Sequence, residues 1–227
     1  MPKNKPNQAQ NTEENSGCNT PPIGVIIGLG NPGADYKNTY HNIGLGALDW
    51  LRENYGHEKS AAPKTVKGFF EYRKENGRIW IKSTVFMNES GAAVRRALKY
   101  FGLRPEEILI IHDDSDLEIG GIKLSWDRGS AGHKGIESVM RHLGTKKLWR
   151  LRIGIHPKNS ADERGLTPQM NADNISVNLR NNQHKSAARR MRAEEFVLKK
   201  IRRSDEKILH DAFKNAAKII GLAPHDN

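Results

Sequence analysis

Ile23-Gly-Val-Ile-Ile-Gly-Leu29 runs directly into Gly30-Asn-Pro-Gly-Ala-Asp-Tyr-Lys-Asn-Thr-Tyr-His-Asn42. The first half is a short apolar run with the pattern of a buried strand. The second half packs a tight turn, several amides and one imidazole behind it. A strand that ends this way delivers hydrogen-bonding and proton-transferring groups to a sheet's edge, where open α/β folds build sites. Gly28, Gly30 and Gly33 also have the spacing of a dinucleotide-binding turn. That fingerprint further needs an acidic residue about 20 positions on, at the end of a second strand. Its sole candidate, Asp49, lies within the helical spacing of Ile43 to Asn54, and Pro32 removes a backbone N–H from the turn that would cradle phosphates. The stretch reads as an active-site loop, not as a nucleotide cradle.

Outward from it, strand-like runs alternate with helical patterns. Strands are expected at Ile23 to Leu29, Gly68 to Arg73, Arg78 to Lys82, Ile108 to His112 and Trp149 to Ile155, with an edge hairpin around Gly120 to Trp126. Helices are expected at Ile43 to Asn54, Gly91 to Phe101, His133 to Leu143, Ala193 to Arg202 and Ser204 to Leu222, the last opened by a capping serine. This alternation predicts one α/β domain over residues 23–227, a mixed, mostly parallel twisted sheet flanked by helices on both faces. Residues 1–22 hold too few apolar side chains to offset ordering entropy and are expected to form a disordered polar tail. Residues 159–192 form a polar and basic insertion, with Lys185, Arg189, Arg190 and Arg192 near its end. Loops of that length inside a domain are functional or disordered.

The 37 Lys and Arg against 26 Asp and Glu, a formal net charge of +11, point to a polyanionic partner, nucleic acid first. A single cysteine, Cys18 in the polar tail, excludes a disulfide framework and a Cys-based metal site. No stretch approaches the roughly 18 consecutive apolar residues of a membrane span. The first 22 residues resemble neither a secretory signal nor a transit peptide, so a cytoplasmic protein is expected.

Three further segments end strands or open helices with residues suited to chemistry: Thr84-Val-Phe-Met-Asn-Glu-Ser-Gly91, Ile110-Ile-His-Asp-Asp-Ser-Asp-Leu117 and Arg128-Gly-Ser-Ala-Gly-His-Lys-Gly135. Four such loops at one rim of a sheet could converge. Their motifs, taken in order with Leu151-Arg-Ile-Gly-Ile155, resemble those of bacterial-type peptidyl-tRNA hydrolases. The resemblance covers residues 23–157 and resumes weakly at 195–199. It implies a metal-independent, cofactor-free enzyme that cleaves the ester between a peptide and the 3′ adenosine of tRNA, recycling the tRNA, and that works as a monomer with no obligate protein partner.

Ester hydrolysis needs an activated water, and a neutral imidazole can take its proton because imidazole titrates close to neutral pH. His41 is the expected general base. A carboxylate on the other ring nitrogen would fix the tautomer and stabilise the imidazolium. Spacing alone does not choose among Asp113, Asp114 and Asp116; the resemblance selects Asp113. It also assigns Asn31 to the peptide's blocked amino group and Asn88 to the ester and water, roles an amide fills without a charge of its own. Tyr36, Phe86 and Met87 would line the groove for peptide or adenosine, and His133 would sit near the acceptor end. Lys123, Arg152 and the Arg189 to Arg192 cluster would contact phosphates. The chain departs from the usual pattern at Lys134, where the common bacterial form has an asparagine that contacts substrate; an ammonium can still meet a phosphate as a point charge. A second reading is a catalytically weak RNA-binding module of the same fold, as some relatives in plant organelles serve in splicing.

Overall fold

The computed structural model describes residues 24–56, 62–157 and 194–223. Both the tail at 1–22 and the insertion at 159–192 lie outside the described residues. Seven strands form one sheet: β1 (Val25–Gly28), β2 (Lys64–Val66), β3 (Phe70–Glu75), β4 (Arg78–Ser83), β5 (Ile108–Glu118), β6 (Ile122–Trp126) and β7 (Trp149–His156), in the order β2-β3-β4-β1-β5-β7-β6. The central four, β4, β1, β5 and β7, are parallel, whereas β3 and β6 run against their neighbours and β2 against β3. Five strands, β1, β2, β4, β5 and β7, thus share one direction, although the six ladders divide evenly between parallel and antiparallel.

Helices α1 (Ile43–Tyr55), α2 (Ser90–Phe101), α3 (Lys134–Leu143) and α4 (Arg203–Ile219) cover the sheet. Strand alternation sorts the core into two halves. Ile26, Leu109 and Ile111 face α1 and α4 with Leu48, Leu51, Leu209 and Phe213. Val25, Ile27, Ile108 and Ile110 face α2 and α3 with Val94, Ala97, Ile136 and Val139. Because both faces are covered, β5 opens with four consecutive apolar residues that are all at most 1% exposed, each contributing about 1.5–3 kcal/mol of burial.

Chain connections leave β1 toward β4 on one side and return past it to β5 on the other, so the order reverses at β1. Open α/β sheets place their crevice beyond the carboxyl ends of strands at such a point. Helix α1 lies close against this crevice at Gly44, where a Cβ would stand 2.4 Å from the Ile111 carbonyl oxygen and 2.6 Å from that of Leu29.

Three expectations need correction, and one strand was missed. Only 194–197 of the helix expected from Ala193 to Arg202 is helical among the described residues. The chain after it is a strap: Tyr40 N–H donates to Lys199 O (3.1 Å), Ile201 N–H to Asn38 O (2.8 Å), and Lys200 Nζ to the carbonyls of Asp35 and Lys37 (2.7 Å each). These tertiary bonds override local helix propensity. β6 forms its ladder with β7 alone, so the edge element is an antiparallel strand, not a hairpin. Strand β2 gave no sequence signal. Arg202, not Ser204, stands at the N-cap of α4, without a side-chain cap. No helix among the described residues is long and apolar enough to cross a membrane.

Candidate active site

The loop after β1 turns at Gly33, whose φ of 100° belongs to glycine because a Cβ crowds the backbone there. A short 3-10 turn, Tyr40–Asn42, then delivers His41 just ahead of α1. His41 Nδ1 lies 2.8 Å from Asp113 Oδ1. Asp113 sits on β5, on the α1 side by alternation with Leu109 and Ile111. His133, at the N-cap of α3, places its Nε2 2.8 Å from the same carboxylate oxygen. The side chains of His41, Asp113 and His133 are 12%, 3% and 8% exposed.

Proton positions follow from the partners. His133 Nδ1 accepts the backbone N–H groups of Gly135 (3.1 Å) and Ile136 (3.2 Å), so its proton is on Nε2 and is donated to Asp113. Burial alone would raise the Asp113 carboxyl, but His133 and His41, each donating to it, outweigh burial and hold it far below the usual carboxylate range. An ionised carboxylate only accepts, so His41 donates from Nδ1. Its Nε2 keeps a lone pair and meets no protein group among the described residues. The donor atoms of His41, Asp113 and His133 lie within 4.8 Å of one another, a spacing that could suggest a cation. His133 Nε2 is protonated, however, and has no lone pair to offer, so the donor set does not fit one.

A third imidazole packs behind. His112 Nδ1 donates to the Asp113 carbonyl oxygen (2.6 Å), and its ring meets that of His133 at 4.7 Å and 73°. Burial, reinforced by His133, holds it well below its ordinary value and therefore neutral.

Asn31 is locked in place. Its N–H donates to Asn42 Oδ1 (2.8 Å), Asn42 Nδ2 returns a bond to its carbonyl (2.9 Å), and its Oδ1 accepts the Met87 N–H (2.8 Å). The amide Nδ2 of Asn31 is left without a protein partner among the described residues. Asn88 is exposed in the turn Met87–Glu89 after β4. Tyr36 and Phe86 meet edge to face at 6.1 Å, with Phe86 48% exposed, whereas Met87 is buried and a Cβ on Gly135 would stand 2.4 Å from its sulfur. Lys123 is exposed on β6, opposite Arg152 on β7. Arg152 Nε bonds Asp114 Oδ2 at 2.5 Å. Lys134 forms an exposed ion pair with Glu194 at 3.2 Å. The structure thus brings His41, Asp113, His133, Asn31 and Met87 into one bonded or packed group and leaves Lys123, Arg152 and Lys134 outside it. A cleft of about 490 Å³ behind the loop shares Asn31 and Asn42 with this group but is not lined by His41, Asp113 or His133.

Two supporting residues escaped sequence reading. Asn42 stood in the amide-rich turn but carried no role, and only the fold shows it clamping Asn31. Arg150 read as an ordinary strand cation. It is buried and donates to the carbonyls of Arg128 (2.9 Å) and Gly129 (3.1 Å), tying down the loop that leads to His133.

An α/β sheet whose strand ends hold an imidazole against a buried carboxylate, with fixed amides beside it, defines a protein built to move a proton at a polar substrate. The family model described as peptidyl-tRNA hydrolase matches residues 25–167. A peptidyl-tRNA hydrolase of Cupriavidus necator is 39% identical over 145 residues, 61% of this chain and 71% of the relative. One from Lactobacillus johnsonii is 41% identical over 140 residues, 60% and 75%. The crystal structure of peptidyl-tRNA hydrolase from Acinetobacter baumannii superposes with a TM-score of 0.67 at 27% identity, covering 88% of each chain. The chain belongs to the peptidyl-tRNA hydrolase family.

Proposed function

We infer that this protein hydrolyses the ester linking a peptide to the 3′ end of tRNA, releasing the free peptide acid and a tRNA that can be charged again, with His41 as the general base. The observation that carries the base assignment is the 2.8 Å bond between His41 Nδ1 and Asp113. It leaves Nε2 free to take a proton from water as the water oxygen attacks the ester carbonyl. The imidazolium that forms is stabilised by the ionised Asp113. Asn31 Nδ2, without a protein partner, and the exposed Asn88 are suited to donate to the peptide and to the oxyanion. Collapse of the tetrahedral intermediate expels the ribose 3′ oxygen, and the imidazolium returns its proton to it.

Tyr36 and Phe86 form the aromatic wall for peptide or adenosine, and Met87 supports it from the core. Lys123, exposed on β6, is the leading phosphate contact, and Arg152 and Lys134 would join it by exchanging Asp114 and Glu194 for phosphate. The domain spans 23–227. On this reading it acts as a monomer in the cytoplasm without an obligate protein partner. Turnover of an N-blocked aminoacyl-tRNA by wild type and His41→Ala tests this. A loss of about 10²-fold or more is expected of a general base, and equal rates would remove His41 from the mechanism. Tight tRNA binding by a wild type that does not turn over would favour the RNA-binding module.

A further inference from the structure

We propose that His133 is a positioning residue for the hydrolytic site: a neutral imidazole, fixed as its Nε2–H form by capping α3, that holds the Asp113 oxygen it shares with His41. This deepens the reading of His41 as the base and rests on it. Three observations carry the proposal. His133 Nε2 and His41 Nδ1 stand at the same distance, 2.8 Å, from the same oxygen, Asp113 Oδ1. His133 Nδ1 is committed to two backbone N–H groups at the helix N-terminus. Its side chain is 8% exposed, so little of it is left to meet a bulky RNA.

The helix terminus makes the tautomer permanent. Protonating Nδ1 would turn an acceptor of two N–H groups into a donor facing them, at the positive end of the α3 dipole. His133 therefore presents a fixed N–H to Asp113. Two donors on one oxygen pin the carboxylate rotamer and divide its charge between two imidazoles. Less of that charge is then directed at His41 than if Asp113 Oδ1 met one imidazole alone. Around the triad, His112 is neutral on the far side of His133, Arg152 is taken up by Asp114, Arg150 by loop carbonyls, and Lys134 turns outward to Glu194.

His133→Asn separates the two jobs. Asparagine is among the best N-cap residues and can accept the same two N–H groups, but it is too short to reach Asp113. The variant is expected to keep the thermal midpoint of wild type to within a few degrees and to keep KM for N-blocked aminoacyl-tRNA within about twofold. Its kcat falls about tenfold, and the acid limb of its kcat/KM profile moves up by about 0.5–1 pH unit, because the undivided carboxylate holds the His41 imidazolium more strongly. His133→Gln, whose amide can reach Asp113, moves the limb back toward wild type. A raised KM with an unmoved pH profile would make His133 a tRNA contact and overturn the proposal, as would a variant indistinguishable from wild type. Nitrogen NMR of the wild-type histidine rings reads the tautomer without any variant: a proton on Nε2 and none on Nδ1 of His133 across the active pH range is expected, and a doubly protonated ring overturns the proposal. Failure of the base reading is distinct, since it shows as full turnover in His41→Ala whatever the His133 tautomer.

Discussion

Asp113 concentrates the chemistry of this site in one carboxylate. It is buried, which opposes ionisation, yet two imidazole donors more than compensate and its folded-state value lies below that of the unfolded chain. A carboxyl depressed on folding contributes its full stability above the unfolded value, about 3.9, and loses it as pH falls below that toward the folded value. Urea unfolding followed from pH 7 to pH 2 should therefore show wild-type stability dropping below about pH 4, with a shallower drop in Asp113→Asn. Equal slopes in the two proteins would mean that the carboxylate is not held by its neighbours as described. His41, Asp113, Asn31 and Asn88 were expected as a set because their residue types and order resemble a family pattern; the fold bonds His41 to Asp113 and Asn31 to the backbone of Met87, and leaves Asn88 exposed. What spacing could not do was choose Asp113 over Asp114. The fold does so by strand alternation: Asp113 faces His41, and Asp114, on the other face of β5, is spent on Arg152.

Helix α1 shows why element boundaries were legible while contacts were not. Its span came from apolar spacing and agrees within one residue, Ile43–Tyr55 against an expected end at Asn54. Its seating depends on glycine at a place no periodicity reveals. Gly44→Ala pushes a methyl into the carbonyls of Ile111 and Leu29, and overpacking of this kind costs about 1–3 kcal/mol. It should also lower kcat, because the 3-10 turn that carries His41 runs directly into this helix. Gly46→Ala, two residues on, meets nothing within 4 Å and should instead gain about 0.5–1 kcal/mol from reduced freedom of the unfolded chain. Thermal melts and turnover of the pair check both signs; equal effects would show that the close approach is unimportant. The strap at 198–202 marks the opposite failure. Its sequence reads as helix, and it becomes extended only because the carbonyls and N–H groups of the 35–41 loop are there to meet it. Phe196 stacks on Tyr40 at 4.6 Å, and the Tyr40 hydroxyl, pushed up to about 12 by burial and by its bond to Asp205, stays a donor throughout the physiological range.

Across the whole molecule, a net charge of +11 meets a substrate that is a polyanion. Association should weaken steeply as salt rises, since each neutralised phosphate releases counterions. Deleting residues 159–192 is expected to weaken tRNA binding and flatten its salt dependence while leaving hydrolysis of a minimal N-blocked ester largely intact. Unchanged slopes in filter binding at several salt concentrations would count against a binding role for that segment. The α/β class, most of the strand and helix succession, the charge and the reactive residue types were determined by the sequence alone, because each is written in local periodicity or composition; the short edge strand β2 and the strap at 198–202 were not. Only the tertiary structure decided that Asn42 clamps Asn31, that Asp113 and not Asp114 meets His41, and that His133 and His41 share one oxygen of Asp113. Those are contacts between residues 11, 72 and 20 positions apart, and they exist because a sheet with a reversal at β1 carries three strand ends and one helix terminus to the same place.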